Sequence, residues 1–314
     1  MKKLLSLSVA AYNIEKFIDL LMESLLVEEC LDKMEIIIVN DGSTDKTLET
    51  ARHYSSMYPN SVVVINKDNG GWGSTVNAAL DKATGKYFKL LDGDDWFDKN
   101  TLSQFIEFLE NCDEDMVLTT YTMFCEPDFK NQSVIKQPYQ YNVRLPIETI
   151  DRYCMHALAV KTNLIKNKIK ITEKCFYTDI EFFLKCANEC SNFISIDLNV
   201  YCYRVGRGGQ SISPQSLKKH YFEHEYISKE CYQLVNQPKF DKLKPNVVGL
   251  CFSNYKYILL LDSTKENHVI FKNYRRYLKT IKASSKGQSL LIKILYTFPF
   301  LYWIIGPVFR KSKL

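Results

Sequence analysis

Tyr87-Phe88-Lys89-Leu90-Leu91-Asp92-Gly93-Asp94-Asp95-Trp96 is the stretch on which the reading of this chain turns. A short apolar run of strand formers ends abruptly in three carboxylates within four residues. Like charges that close repel one another, and a fold tolerates them only with something positive among them. Hard divalent cations such as Mg²⁺ and Mn²⁺ take oxygen ligands, commonly one or two carboxylates completed by the phosphates of a substrate. One reading is therefore a strand that delivers a metal–diphosphate site; the other is a solvated acidic turn. Open α/β sheets place ligands just beyond the carboxyl ends of their strands. The neighbouring segments decide between the two.

Upstream, residues 4–11, 35–39 and 62–65 are further apolar or β-branched runs, each followed by a helical pattern. Residues 15–26 carry Phe17, Ile18, Leu20, Leu21, Leu25 and Leu26 at the spacing of an amphipathic helix. After the second run, Asn40-Asp41-Gly42-Ser43-Thr44-Asp45 supplies a turn, a cap at Ser43 or Thr44, and an acid for the first turn of a helix. After the third, Asn69-Gly70-Gly71-Trp72-Gly73-Ser74-Thr75 opens a helix reaching residue 83, and residues 100–110 form one beyond the acidic cluster. Strand and helix thus alternate four times, which predicts an α/β fold with a mostly parallel central sheet flanked by helices. Asp41, Asn69 and the acids at 92–95 then converge on one sheet edge, where a nucleotide is expected. Neither G-x-G-x-x-G after the first strand nor G-x-x-x-x-G-K-[ST] is present, so hydride-transfer and P-loop chemistry lose support.

Four blocks together carry a resemblance: Ser-Val-Ala-Ala-Tyr-Asn at residues 8–13, Val-Asn-Asp-Gly-Ser-Thr-Asp at 39–45, residues 69–77, and Leu-Leu-Asp-Gly-Asp-Asp at 90–95. The chain resembles the inverting family-2 glycosyltransferases with the GT-A fold over about its first two hundred residues. The resemblance implies that Asp41 accepts a base N–H of uracil, with Tyr12, Ala10 and Asn69 around the nucleotide. Asp92 and Asp94 would be the D-x-D pair, contacting ribose or diphosphate and holding Mg²⁺ or Mn²⁺. Asp95 would orient its neighbours or meet the donor sugar, and Trp72 would line the donor or acceptor pocket. Ala10 departs from the family's usual proline.

Further on, residues 116–124 read as a strand, 126–141 as an irregular excursion, 144–153 as a short helix, 156–160 as a strand and 162–168 as a helix. Thr178 and Glu181 have capping-box spacing, which puts Asp179 in the first turn of a helix ending near residue 189. The family usually has Glu-Asp here, with the Asp as general base. Asp179 is thus the implied catalytic base, and Thr178 stands where Glu is usual. Tyr201-Cys202-Tyr203-Arg204-Val205-Gly206-Arg207, followed by Ser211-Ile212-Ser213, resembles the family's Tyr-x-Tyr-Arg…Ser-Ile-Ser ending. Its glycines predict a mobile loop, and Arg204 and Arg207 are placed to meet phosphate oxygens, Arg207 those of the donor diphosphate. The Q-x-x-R-W element of processive synthases is absent, which favours transfer of single sugars.

Composition is that of an ordinary globular protein, with 46% hydrophobic and 25% charged residues. The start, Met-Lys-Lys-Leu-Leu-Ser-Leu-Ser, reads as a first strand rather than a signal peptide, and the ten cysteines, without a C-x-x-C, read as reduced core residues of a cytosolic protein. Charge is lopsided. No Asp or Glu follows Glu266, yet ten of the 41 basic residues do, so the preceding chain holds 31 basic against 36 acidic residues. The expected organisation is a GT-A domain over 1–213 (nucleotide half 1–98, acceptor half 99–213), helices over 214–288, and an amphipathic tail over 289–314. Within the tail, Lys293, Pro299 and Pro307 interrupt an aromatic-rich apolar run, which suits the inner membrane interface better than a crossing. No nucleic-acid module appears.

The expectation is thus a peripheral, metal-dependent glycosyltransferase on the cytoplasmic face of the membrane. It would move one sugar from a nucleotide-sugar, UDP-linked, to a hydroxyl of a glycan or lipid-linked glycan. The alternatives are a catalytically silent nucleotide-sugar-binding subunit and a sugar nucleotidyltransferase. The latter needs a glycine- and arginine-rich loop after the first strand, where this chain has Ala10-Ala11-Tyr12-Asn13.

Overall fold

The computed structural model describes residues 3–207, 210–211, 213–259, 261, 264–282 and 286–297. The chain divides into two compact units: Met1–Ile147 with Cys154–Arg207, and Glu148–Tyr153 with Gly208–Leu314.

The first unit alternates as expected through β1 (Leu5–Ala11), α1 (Ile18–Leu25), α2 (Glu28–Leu31), β2 (Met34–Asp41), α3 (Thr47–Met57), β3 (Val62–Lys67), α4 (Trp72–Lys82) and β4 (Tyr87–Asp92). It continues with β5 (Trp96–Phe97), α5 (Lys99–Asn111), β6 (Met116–Cys125), β7 (Gln132–Ile135), β8 (Arg144–Pro146), β9 (Leu158–Lys161), α6 (Thr162–Ile165), α7 (Asp179–Glu189) and β10 (Asn192–Val205). The strands form one sheet in the order β3-β2-β1-β4-β9-β6-β10-β5. From β3 to β4 every pair is parallel. Strands β1, β2 and β4 are buried on both faces, the condition under which strands read as continuous apolar runs. Leu5, Leu7, Val9, Ile36 and Ile38 anchor the core beneath α1 and α5.

Beyond β4 the sheet turns mixed. Antiparallel β9 joins β4 to β6, β10 runs parallel to β6, and β5, β7 and β8 pair antiparallel. Two expectations change here. Residues 144–153, expected as a helix, begin as β8, because Arg144–Pro146 pairs with the first residues of β10, and only Ile147–Thr149 makes a 3₁₀ turn. The irregular excursion at 126–141 contains β7, held against the far half of β6. The long strand β10 bends through register shifts between Ser195 and Tyr201, so one half pairs with β8 and the other with β5 beside the acidic cluster.

The second unit is helical: α8 (Pro214–Lys219), α9 (Tyr221–Leu234), α10 (Lys244–Leu259), α11 (Lys265–Thr280) and α12 (Lys286–Thr297). Pro214 is the first residue of α8, capped by Ser213. The helical run breaks at His220, between α8 and α9. Eight of the ten cysteines are buried, and none is in a disulfide. Among the described residues no helix is long and apolar enough to cross a membrane. The expected apolar run at 290–309 lies outside the described residues beyond Thr297.

Candidate active site

The parallel strands end together. Across the sheet Ala10 stands opposite Val39 on β2 and Asp92 on β4, and Asp41 opposite Lys67 on β3. The acidic turn leaves β4 pressed against β1: a Cβ on Gly93 would lie 2.6 Å from the Ala10 carbonyl oxygen. Tyr12 is exposed at the rim. The turn after it is pinned to the β2–α3 loop, with Asn13 N–H donating to Ser43 Oγ (3.0 Å) and Asn13 Oδ1 accepting from Thr44 N–H (2.8 Å).

Asp41 is buried and committed to its own chain. Oδ1 accepts from Lys67 Nζ (2.6 Å) and Gly70 N–H (2.9 Å), and Oδ2 from Gly71 N–H (2.8 Å). Asn69 donates to the Asp41 carbonyl at 2.9 Å, so its amide also shapes this corner. Gly71 adopts φ +80°, which only glycine does cheaply, and this aims two successive N–H groups at the carboxylate.

The acidic cluster divides in two. Asp92 and Asp94 are half-buried at the strand end. Asp92 Oδ1 accepts from Trp72 Nε1 at 2.8 Å, and Asp94 Oδ2 from Arg207 Nε at 2.6 Å. Burial first, then the neighbouring Asp94 charge, pushes the Asp92 carboxyl up to about 7. The Trp72 indole N–H and Arg207 pull it down, while Asp179 adds repulsion. Asp95 corrects the expectation of a sugar contact. It is 2% exposed, and its oxygens accept from Tyr201 Oη (2.6 Å) and Arg204 N–H (2.7 Å). Burial, then Asp92 and Asp94, raise its carboxyl well above the usual range.

Arg204 is likewise corrected from phosphate ligand to prop. Its guanidinium lies 5.0 Å from the ring centres of Phe17, Trp96 and Phe129, and Nε donates to the Asp94 carbonyl at 2.8 Å. Arg207, one-third exposed, does reach the cluster. Trp72 gives its N–H to Asp92 and sets its ring edge-on to Phe182 of α7, 6.4 Å between centres.

Asp179 opens α7, half-buried. Burial raises its carboxyl, against the pull of its own and Ile180's N–H groups. The expected capping box does not form. Glu181 turns to Thr172, accepting from its N–H (3.1 Å) and Oγ1 (3.0 Å), and to Lys185 (2.6 Å), while Thr178 Oγ1 is buried without a partner. Asp92, Asp94, Asp179 and Arg207 thus meet within one electrostatic field, and Asp95 and Arg204 stand behind it. Tyr201 and Tyr203 escaped notice as site residues. Tyr203 feels the charges of all four acids, and their period-two spacing on an extended run was the available signal.

The donor set suits a hard cation. Two carboxylates repel at the strand end, one of them held near neutrality in its titration, and both offer oxygen. Among the described residues no cluster of three or more acidic, His or Cys ligands occurs. Such a site is completed by substrate phosphates rather than by an all-protein cage.

Comparison with known proteins bears on this arrangement. A solved structure of S. aureus TarS in complex with UDP-GlcNAc superposes with a TM-score of 0.65 at 20% identity, covering 98% of this chain and 91% of that one. The mannosyltransferase PcManGT from Pyrobaculum calidifontis, in complex with GDP-Man and Mn²⁺, gives 0.52 at 15% identity, covering 99% and 87%. In sequence, the minor teichoic acid biosynthesis protein GgaB of Bacillus subtilis is 23% identical over 88% of this chain, which spans 31% of that protein's length. Residues 6–165, half of the chain, match the model of glycosyl transferase family 2 and take in every predicted site residue except Asp179, Arg204 and Arg207. The fold is GT-A, and the chain belongs to glycosyl transferase family 2.

Proposed function

We propose that the protein transfers one sugar, with inversion, from a UDP-sugar to a hydroxyl of a cell-surface glycan or its lipid-linked precursor. The observation that carries this reading is the pairing of Asp92 and Asp94 with Asp179. Two carboxylates end β4, and a third, raised in basicity by burial, faces their charge from the start of α7.

Each group has a task. Tyr12, Ala10 and the Asp41–Asn69 corner receive the uracil and ribose. Asp92 and Asp94 would hold a Mg²⁺ or Mn²⁺ ion, which when bound would supply positive charge for the departing diphosphate. Arg207 adds a second positive group on the Asp94 side. Asp179 accepts the proton of the acceptor hydroxyl as its oxygen attacks the anomeric carbon. The bond from that carbon to the phosphate oxygen breaks, and UDP leaves with the electron pair. TarS with UDP-GlcNAc, PcManGT with Mn²⁺ and the teichoic acid role in GgaB's name support the donor, the ion and the setting in turn.

The test is UDP release from a panel of UDP-sugars, with and without Mn²⁺ or Mg²⁺, for the native chain and Asp94→Ala. Metal-dependent release with one preferred sugar, reduced about a hundredfold or more in Asp94→Ala, is the expected result. UDP-sugar binding with no turnover toward any acceptor would make the protein a silent binding subunit. If no UDP-sugar binds while a GDP- or CDP-sugar does, the uracil assignment at Asp41 fails.

A further inference from the structure

The charge asymmetry of the sequence takes a definite shape in the second unit. On α11, Lys265, Lys272 and Arg276 are exposed and separated by seven and four residues, about two turns and one. They therefore line one stripe of the helix, with Val269, 53% exposed, among them. The opposite side of α11 is buried through Phe271, Tyr274 and Leu278. Glu266, the last acid of the chain, sits in the first turn and a quarter-turn off the stripe.

Helix α12 repeats the theme with more apolar surface. Lys286 and Lys293 are exposed two turns apart. Beside them Leu290 and Ile294, one turn apart, are 57% and 38% exposed. Large aliphatic side chains held in water beside lysines gain nothing from solvent, and they gain from an apolar medium bounded by negative charge.

We propose that the basic stripe of α11 and the basic-and-apolar side of α12 dock the protein on an anionic lipid bilayer. The stripe draws the surface charge and Leu290 with Ile294 enter the headgroup boundary. Charge complementarity selects an acidic partner, since ten basic residues and no acid follow Glu266. The exposed aliphatics select lipid over a soluble polyanion, which has no apolar layer to receive them.

Full-length protein would be sedimented with phosphatidylcholine vesicles and with vesicles containing phosphatidylglycerol. Two variants would be compared, K265S/K272S/R276S and L290S/I294S. Native protein should partition onto the anionic vesicles only, and less so as salt rises. Removing three charges should weaken partition by about a hundredfold, and the aliphatic variant should also lose binding. Thermal unfolding and UDP release in solution should stay at native values in both. Equal binding to the two lipids, or variants that bind as the native chain does, would overturn the proposal. Displacement by soluble polyphosphate together with unchanged binding of L290S/I294S would replace the bilayer by a polyanion.

Discussion

The two ends of the D-G-D-D turn differ more than their sequence allows one to see. Asp92 and Asp94 face the strand edge half-buried, each oxygen that is taken being taken by one side-chain donor. Asp95, one residue on, is sealed inside, both oxygens serving Tyr201 and the Arg204 backbone. Asp179 belongs with the outward pair. The same side chain thus stands open at the site in one place and serves as scaffolding in another, and burial with donor count separates the two. Substitutions should split along that line, with turnover lost on one side and stability on the other.

The largest expected effect is at Asp179. Asp179→Asn keeps the shape and removes the base, so kcat with acceptor should fall by about 10²–10⁴, with donor binding and thermal midpoint near native values. An undiminished kcat would take the base away from α7. Next comes Asp95→Ala, the opposite case. It leaves the Tyr201 O–H without its acceptor and the Arg204 N–H without the Asp95 oxygen, each costing about 1–3 kcal/mol when buried. The midpoint of denaturant unfolding should drop accordingly, while kcat of the protein that remains folded should suffer far less than in Asp179→Asn. If Asp95→Ala unfolds at the native midpoint and loses turnover, the division proposed here is wrong.

Much of this was legible from sequence, for a local reason. The runs that became β1 to β4 are short, apolar or β-branched and end in turn residues, and such signals need no knowledge of the rest of the chain. The candidate residues at those strand ends lie at one edge as the alternation required. What was missed depends on distant pairing. The strand β10 carries Asp197 and Asn199 in its middle, at a register shift, so its pattern breaks where the strand bends. With β10 unseen, Arg144–Pro146 had no visible partner and read as helix. The capping box at Thr178 failed because Glu181 found Thr172 and Lys185 instead. The separation of Asp95 from Asp94 is decided by Tyr201 and Arg204, more than a hundred residues downstream.

Trp72 sits on the border between the two sets, and a smaller effect is expected there. Its indole N–H favours the ionised form of Asp92, whose carboxyl stands at about 7. Trp72→Phe keeps an aromatic edge for Phe182 and removes that donor, so the Asp92 carboxyl rises further. At pH 7 less of it is then ionised. The metal concentration for half-maximal UDP release should increase about tenfold, as for one hydrogen bond to a charged group, and the deficit should shrink at pH 9, where Asp92 ionises regardless. A deficit equal at both pH values would mean that Trp72 acts by packing or on the sugar.

The smallest effect tests the scaffold alone. Lys89, three residues before Asp92, is fully buried, its Nζ donating to the His156 and Leu158 carbonyls (2.7 and 3.2 Å) and lying 5.7 Å from the centre of the Tyr201 ring that leads to Asp95. Burial lowers its ammonium from 10.5 to about 7. Below pH 7 both the folded and the unfolded chain carry the proton, and the folded one bears the full penalty of a buried charge. As pH rises from about 7 toward 10.5 the folded chain releases a proton that the unfolded chain keeps, so this group's contribution makes stability rise, by at most ~1.4 kcal/mol per pH unit. Lys89→Met should remove that rise, measured as the change in unfolding free energy between pH 7 and 8.5. The acid limb of kcat, expected from the outward carboxylates if they hold the proposed ion, should stay where it was. A moved acid limb would place Lys89 among the groups that serve the substrate, and the boundary between the two sets would have to be redrawn inside β4.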